Sequence, residues 1–359
     1  MRITLDCGIW GIQAYGGISN YWKRLFMYLS SGSGQDFQVI APKKLIFQGL
    51  SECRIDQSEC IKEVLPSKIS RYLPVHIPNF REGDIFHTPY YRLPLAGKGK
   101  FIVSVYDFTY EKYGDGLAKS VHSLQKFSSL RKADKILCIS TSTRNDLVNY
   151  LPNIDLNKIE TIYLGVDRLK YFVDKKLSDT AFSENQKSAL KSGSVVLFVG
   201  QRRGYKRFDL AVEALINDAD LILGIVGPRL SDSEKEMLTL HLGTRWIEFG
   251  AIDDELLRKA YSYAFAFIFP SDYEGFGLPV LEAMACGCPA VISNLSSFPE
   301  VGGEAALYSY AQSREEYQLR LVQLKDRFYR AEVTKLGFAN VLKFPWEACM
   351  EKTLACYSL

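Results

Sequence analysis

Five short apolar runs, VVLFVG at 195–200, LILGIVG at 221–227, WIEFG at 246–250, FAFIFP at 265–270 and AVISN at 290–294, recur with a helical segment between each pair. Apolar runs of this length suit strands buried on both faces. Strands that alternate with helices pair in parallel through crossover connections. The first half repeats the pattern, with strands expected near 2–6, 37–41, 84–88, 101–107, 135–140 and 159–164 and helices near 17–30, 116–132 and 143–151. The proline-bearing region 43–82 reads as irregular and mobile. A chain of 359 residues exceeds one comfortable core. The polar stretch at about 168–192, rich in Lys and Ser, marks the expected boundary. The expected class is therefore α/β, with Rossmann-like domains over 1–170 and 171–341. The last segment, FPWEACMEKTLACY, has helical spacing and either closes the second domain or crosses back onto the first.

Composition excludes several classes. With 47% hydrophobic and 24% charged residues the chain is neither disordered nor fibrous. Its most continuous apolar stretch, AFAFIF, falls far short of the roughly 20 residues a membrane span needs. No secretory leader is legible, so a cytoplasmic protein is expected. The eight cysteines form no CxxC and have no His at metal-ligand spacing. Cys53 and Cys60 could approach each other, but buried thiols in a reducing compartment are the better expectation. Net charge is +3, yet residues 1–170 hold 23 Lys and Arg against 16 Asp and Glu, a balance of +7 that leaves −4 for the rest. The basic half, with Lys119, Lys126, Arg131, Lys132 and Lys135 close together, suits either an anionic surface or a solvated helix face. No nucleic-acid module is present.

In open parallel sheets ligands collect beyond the carboxyl ends of the strands, so the loops after strands are where chemistry is sought. After FAFIFP comes SDYEGFGLPVLEAMACGCP, in which Glu274 hangs in the loop and Glu282 sits early in a helix that Pro279 opens and Gly287 ends. Two carboxylates beside a helix N-terminus suit a molecule bearing both hydroxyls and phosphates. The loop after VVLFVG, QRRGYKRFD, brings Arg202 and Lys206 to the same sheet edge, where a guanidinium fork and a flexible ammonium suit a diphosphate. Gly16 and Gly17 form a weaker glycine turn before a helix, and the absence of GxGxxG speaks against a dinucleotide oxidoreductase. His87 and Asp107 follow strands in the first half, and Asp107, at the end of a buried strand, needs a partner or a purpose. The pair Asp218 and Asp220 precedes a strand and lies at the wrong edge for metal chemistry.

These residues resemble the retaining, nucleotide-sugar-dependent glycosyltransferases of family 4, which have the two-domain GT-B fold. The resemblance spans nearly the whole chain. Its most specific part is the E-x7-E signature, Glu274 to Glu282, in PSDYEGFGLPVLEAMACGCPAV; VGQRRGYKRF, the glycines at 16 and 17, and KILCIS with DLNKIETIYLGVD follow. It implies two domains facing each other across a cleft, with about 342–359 crossing back to the first. It implies that Glu282 binds the ribose hydroxyls, Glu274 a donor-sugar hydroxyl, and the backbone around Phe276, Gly277 and Leu278 the sugar and phosphate. Arg202 and Lys206 would hold the departing diphosphate, Gly16 and Gly17 would approach it, and the loop through Ile252 would border the base. The acceptor, flanked by His87, Tyr106 and Asp107, would enter from the first domain. Many members carry a His-Asp pair where this chain has Tyr106-Asp107, and a tyrosine with an unperturbed pKa of about 10 is no base at neutral pH. The family's mechanism needs none, because a donor phosphate oxygen accepts the acceptor proton; it needs no metal or other cofactor, because Arg202 and Lys206 neutralise the leaving group. The implied partners are a UDP- or GDP-sugar and a glycan or lipid-linked glycan in polysaccharide, O-antigen or glycolipid assembly, on the inner face of an anionic membrane. A silent sugar-nucleotide-binding subunit and a sugar-nucleotide epimerase of the same fold are the alternative readings.

Overall fold

The computed structural model describes residues 1–13, 16–31, 34–46, 60–177 and 181–358. The chain packs as two compact units: Met1–Leu164 with Trp346–Leu359, and Gly165–Pro345. The break comes a few residues earlier than the boundary expected after 170. The Val166 amide donates to the Phe344 carbonyl, which ties the residues after Leu164 into the second unit.

In the first unit, β1 (Arg2–Asp6), α1 (Gly17–Ser30), β2 (Asp36–Ala41), β3 (Cys60–Lys62), α2 (Ser67–Ser70), β4 (Ile85–Thr88), β5 (Lys100–Val105), α3 (Thr109–Tyr113), α4 (Gly116–Lys132), β6 (Lys135–Cys138), α5 (Thr141–Tyr150) and β7 (Ile159–Thr161) follow in order. The seven strands form one parallel sheet ordered β3-β2-β1-β4-β5-β6-β7. The edge strand β3 lies within the region read as irregular; three residues paired to β2 are too few to show a periodicity. Residues 47–59 of that region, with Cys53, lie outside the described residues. β5 ends at Val105, short of 107, because Tyr106 and Asp107 already turn into the loop.

The second unit runs α6 (Glu184–Ser192), β8 (Val195–Val199), α7 (Phe208–Glu213), β9 (Ile222–Val226), α8 (Asp232–Leu242), β10 (Trp246–Gly250), α9 (Asp254–Tyr263), β11 (Ala266–Phe269), α10 (Leu278–Ala285), β12 (Ala290–Ser293), α11 (Phe298–Gly302), β13 (Ala306–Ser309), α12 (Arg314–Gln323) and α13 (Arg327–Val341). Its parallel sheet is ordered β10-β9-β8-β11-β12-β13. Val196, Phe198, Leu223, Ile225, Ala266, Ile268 and Val291 from the strands close a core against Leu210, Leu215, Leu238 and Tyr317 of the helices and their flanks. The sixth strand, ALYS, was not expected, since four residues of mixed polarity carry no clear pattern.

The final helix, α14 (Trp346–Ala355), joins the first unit. The hydroxyls of Tyr21 on α1 and Thr353 are 3.0 Å apart, and Tyr357, just past the helix, puts its hydroxyl 2.7 Å from Nδ1 of His87. The seven described cysteines are free and, except for half-buried Cys60, buried. Among the described residues no helix is long and apolar enough to cross a membrane.

Candidate active site

Each sheet reverses its strand order once, between β1 and β4 in the first unit and between β8 and β11 in the second. Ligands of such sheets sit outside the carboxyl ends of the strands at this reversal. In the second unit the loops leaving that point are 200–207 and 270–277, the two stretches singled out in the sequence. They are tied together where the Asp272 amide donates to the Tyr205 carbonyl at 2.8 Å.

Lys206 ends a short 3-10 turn, Gly204–Lys206, and its ammonium forms an ion pair with Oε1 of Glu274; both side chains are 15% exposed, so the pair is shielded yet reachable. Ser271 Oγ donates to the same carboxylate oxygen at 2.9 Å. The Glu274 backbone is held by the next loop of the sheet: the hydroxyls of Ser296 and Ser297 donate to its carbonyl at 2.6 and 2.9 Å, and Ser297 also donates to the Phe276 carbonyl. Gly277 precedes α10 with φ 105°, and a β-carbon there would stand 3.1 Å from the Phe298 ring. Only glycine makes this left-handed turn without strain. Leu278 and Pro279 then open α10, with no side chain capping its first amides.

Glu282, on α10, is half-buried. Burial, with the Asp254 carboxylate nearby, pushes it up to about 7, against the pull of Lys170. Tyr171 donates its hydroxyl to Asp254 at 2.7 Å, and Lys170 pairs with the same carboxylate. Ile252, half-buried, follows β10 in the turn that Gly250 opens with φ 71°.

Arg202, expected at the same sheet edge as Lys206, is held by Glu234 and not by Glu274. Its Nε and Nη2 donate to Glu234 at 2.5 and 3.2 Å, and Nη2 also reaches the Arg229 carbonyl at 3.1 Å. Glu234 is available because it is the third residue of α8, where a reciprocal cap with Ser231 fixes it. Hydrogen bonding to Arg202 holds Glu234 down at about 2. The remaining nitrogen, Nη1, is buried and has no hydrogen-bond partner among the described residues. A β-carbon at Gly227 would lie 3.7 Å from it.

In the first unit Gly16 caps α1 with φ 150°, and Gly17 is the first helical residue, with no side chain capping the helix start. Two acceptor-side candidates are corrected. His87 is fully buried, with Nδ1 and Nε2 2.7 Å from Tyr357 Oη and 2.8 Å from Ser104 Oγ, and burial pulls it down to about 3, so it is a neutral core residue. Tyr106 is buried too; its hydroxyl accepts from Trp22 Nε1 at 2.9 Å, and burial raises it well above the ordinary phenol range. Asp107 stays half-exposed, accepting the Thr109 amide on Oδ1 at 2.8 Å. Lys126, read as part of a basic surface, is instead buried and pairs with Glu111 at 3.0 Å. Asp218 and Asp220 pair with Lys325 and have a structural role.

A family model described as glycosyl transferases group 1 matches residues 180–316, which contain both loops and α10. The O-antigen chain mannosyltransferase B of Escherichia coli is 30% identical over 292 residues, covering 77% of this chain and 74% of that one. The chain belongs to the group 1 glycosyltransferases. Among solved structures, sucrose-phosphate synthase from Thermosynechococcus elongatus matches at TM-score 0.73 and 18% identity, over 99% of this chain and 98% of that one. HepE from Anabaena, in complex with UDP and glucose, matches at TM-score 0.70 and 13% identity, over 100% and 99%. These likenesses are of fold, and the fold of this group 1 glycosyltransferase is GT-B, with two parallel-sheet α/β domains.

Several residues that shape this candidate site escaped sequence reading. Ser296 and Ser297 follow the strand AVISN, so the rule that led to Glu274 could have found them. Tyr171, Lys170 and Asp254 carried no signal, since they come from a linker and a helix start distant in sequence from α10.

Proposed function

We propose that this protein is a retaining glycosyltransferase of family 4, moving a sugar from UDP- or GDP-sugar to an acceptor hydroxyl on a glycan or lipid-linked glycan. The observation that carries the proposal is the shielded Lys206–Glu274 pair at the strand-order reversal, with Glu282 of the E-x7-E spacing on the helix that follows. Each member of the pair has a use once the donor enters. Lys206 exchanges its carboxylate for the diphosphate, and Glu274, kept in place by Ser271, Ser296 and Ser297, accepts a sugar hydroxyl. Glu282 gives up its proton to bind the ribose hydroxyls as a carboxylate, and Arg202 turns Nη1 toward the diphosphate. With the diphosphate neutralised by these cations, the transfer runs without a metal or other cofactor, and a donor phosphate oxygen takes the acceptor proton on the face from which it leaves. Buried Tyr106 has no part in that step.

The O-antigen mannosyltransferase relative supports a role in O-antigen or related polysaccharide assembly, and UDP in HepE supports a nucleoside-diphosphate donor. A lipid-linked acceptor would be met at the inner face of the cytoplasmic membrane. Leu117, Val121 and Leu124, at helical spacing on α4, are 85%, 50% and 73% exposed, and Arg131 and Lys132 are exposed on the same helix. That combination suits an anionic bilayer.

A thermal-shift series with UDP, GDP, ADP, TDP and CMP tests the donor site. A ligand at 100 times its Kd stabilises by about 2.7 kcal/mol. One diphosphate should raise the melting temperature of the wild type and leave Glu282→Ala unmoved. No shift with any of them would overturn the reading. The anomeric configuration of the product, read by NMR, tests retention.

A further inference from the structure

The carboxyl edge of the first sheet carries an arginine with nothing to bind. Arg71 lies on the connection between β3 and β4, and its guanidinium stands 4.7 Å from the centre of the Tyr72 ring and 4.8 Å from that of Tyr90. Among the described residues it donates no hydrogen bond and joins no ion pair, and its Nε is buried without a partner. Its backbone is fixed, since Gln125 of α4 donates to the Arg71 carbonyl at 2.7 Å. A desolvated donor left unmet costs about 1–3 kcal/mol, and more when charged, so such a group needs a reason. Two aromatic faces hold the guanidinium plane without using any of its N–H groups, which leaves the fork presented.

Its surroundings have the composition of a sugar site. Tyr90 follows β4, and Asp107 and Tyr110 follow β5, so all leave the same sheet edge. Tyr72 and Tyr110 are 40% and 41% exposed, and His122 stacks on Tyr110 with ring centres 4.4 Å apart. Asp107 spends Oδ1 on the Thr109 amide, and no described group donates to Oδ2. Arg71 faces the Tyr90 ring, the next residue Tyr91 packs against His122 with ring centres 5.6 Å apart, and His122 stacks on Tyr110, three residues after Asp107; among the described residues the arginine and the aspartate are not paired with each other. Burial and Lys126 hold His122 at about 4, so it adds no competing cation at neutral pH.

We propose that Arg71, propped between Tyr72 and Tyr90, binds a phosphate group carried by the acceptor, while Asp107 accepts a hydroxyl of the adjoining sugar. The inference rests on the glycosyltransferase reading for the word acceptor, but the anion site stands or falls by itself. The planar fork matches phosphate bidentately, and the exposed tyrosine rings supply apolar faces for the ring next to it. The phosphate has two possible sources, a soluble phosphorylated sugar or the head group of a lipid.

The test uses the full chain, with mannose 1-phosphate and methyl mannoside as probes, followed by tyrosine and tryptophan fluorescence. The wild type should bind mannose 1-phosphate and not the methyl glycoside. Arg71→Gln should weaken that binding about tenfold or more, the loss of one charged, bidentate contact. Arg71→Lys should restore part of it, and Lys206→Ala should leave it unchanged. Binding that survives Arg71→Gln, or that is lost only with Lys206→Ala, overturns the proposal; a melting temperature equal to wild type certifies that the variant is folded, with Arg71→Lys as the second measurement if it is not. Sedimentation with phosphatidylglycerol vesicles separates the sources. Loss of sedimentation in Arg71→Gln assigns the phosphate to a lipid head group, and sedimentation equal to wild type assigns it to the soluble ligand. Nucleotide thermal shifts unchanged in Arg71→Gln keep the donor reading separate: absent shifts with Arg71-dependent phosphate binding would remove the transferase reading and leave this site.

Discussion

At the scale of single residues, two charged groups carry sharp expectations. Lys206 faces Glu274 in the free protein and the leaving diphosphate in the proposed reaction, so Lys206→Ala removes a contact that grows as the bond breaks. Its kcat/KM should fall by about two orders of magnitude or more, equivalent to about 3 kcal/mol. Turnover close to wild type in a radiolabelled sugar-transfer assay would take the role away from Lys206. Glu282 makes a prediction about pH. Its carboxyl is raised from 4.5 to about 7 by folding, so between these values the unfolded chain releases the proton and the folded chain keeps it. Stability therefore falls as pH rises through that window and is level above it. Glu282→Gln removes the fall, and urea unfolding should show it more stable than wild type by about 3 kcal/mol at pH 8, with little difference at pH 4.5. Equal gaps at the two pH values would contradict a carboxyl that folding keeps protonated. The two glutamates and the lysine were legible because each follows a strand at the sheet edge. The partners that set their behaviour were not, because Asp254, Lys170 and Tyr171 reach Glu282 through tertiary packing alone.

At the scale of elements, the turn into α10 is the piece whose geometry the site depends on. Gly277 adopts φ 105°, Pro279 presets the first turn, and Ser297 holds the Phe276 carbonyl. Gly277→Ala puts a β-carbon into a left-handed conformation and within 3.1 Å of Phe298. It should cost about 1–2 kcal/mol in urea unfolding and also weaken nucleotide binding, since the amides that follow shift with the turn. A loss of stability with nucleotide binding intact would mean that the turn serves packing only. The sequence announced this element well, because Gly277, Pro279 and the closing Gly287 punctuate both of its ends. It announced β3 and β13 poorly, because strands of three and four residues are held by pairing to a neighbour and carry no period of their own. It also misread β5 beyond Val105: Tyr106 and Asp107 looked like strand because the apolar run continues, yet Tyr106 turns inward to Trp22 and Asp107 caps the next turn.

At the scale of the whole molecule, two units of one strand order share a chain that leaves the first at Leu164 and returns to it at Trp346. The doubled order was readable from the alternation of apolar runs and helices, which fixes a parallel sheet before any contact is known. The return of the C-terminal helix was not readable from its spacing, which suits either unit equally; what decides it is Tyr357, buried at 2% exposure, and the hydrogen bonds it and Thr353 make to His87 and Tyr21. This gives the last prediction. Tyr357→Ala removes a large buried ring and leaves Nδ1 of His87 without its partner, both within the first unit. By analogy with other buried aromatic truncations the loss should be about 3–5 kcal/mol. Scanning calorimetry should show a transition that moves down by several degrees and a second that stays, and the nucleotide-dependent shift should follow the second. A single transition that moves as one would mean that the units unfold together, and that the last residues stabilise the donor site as much as the sheet on which they lie.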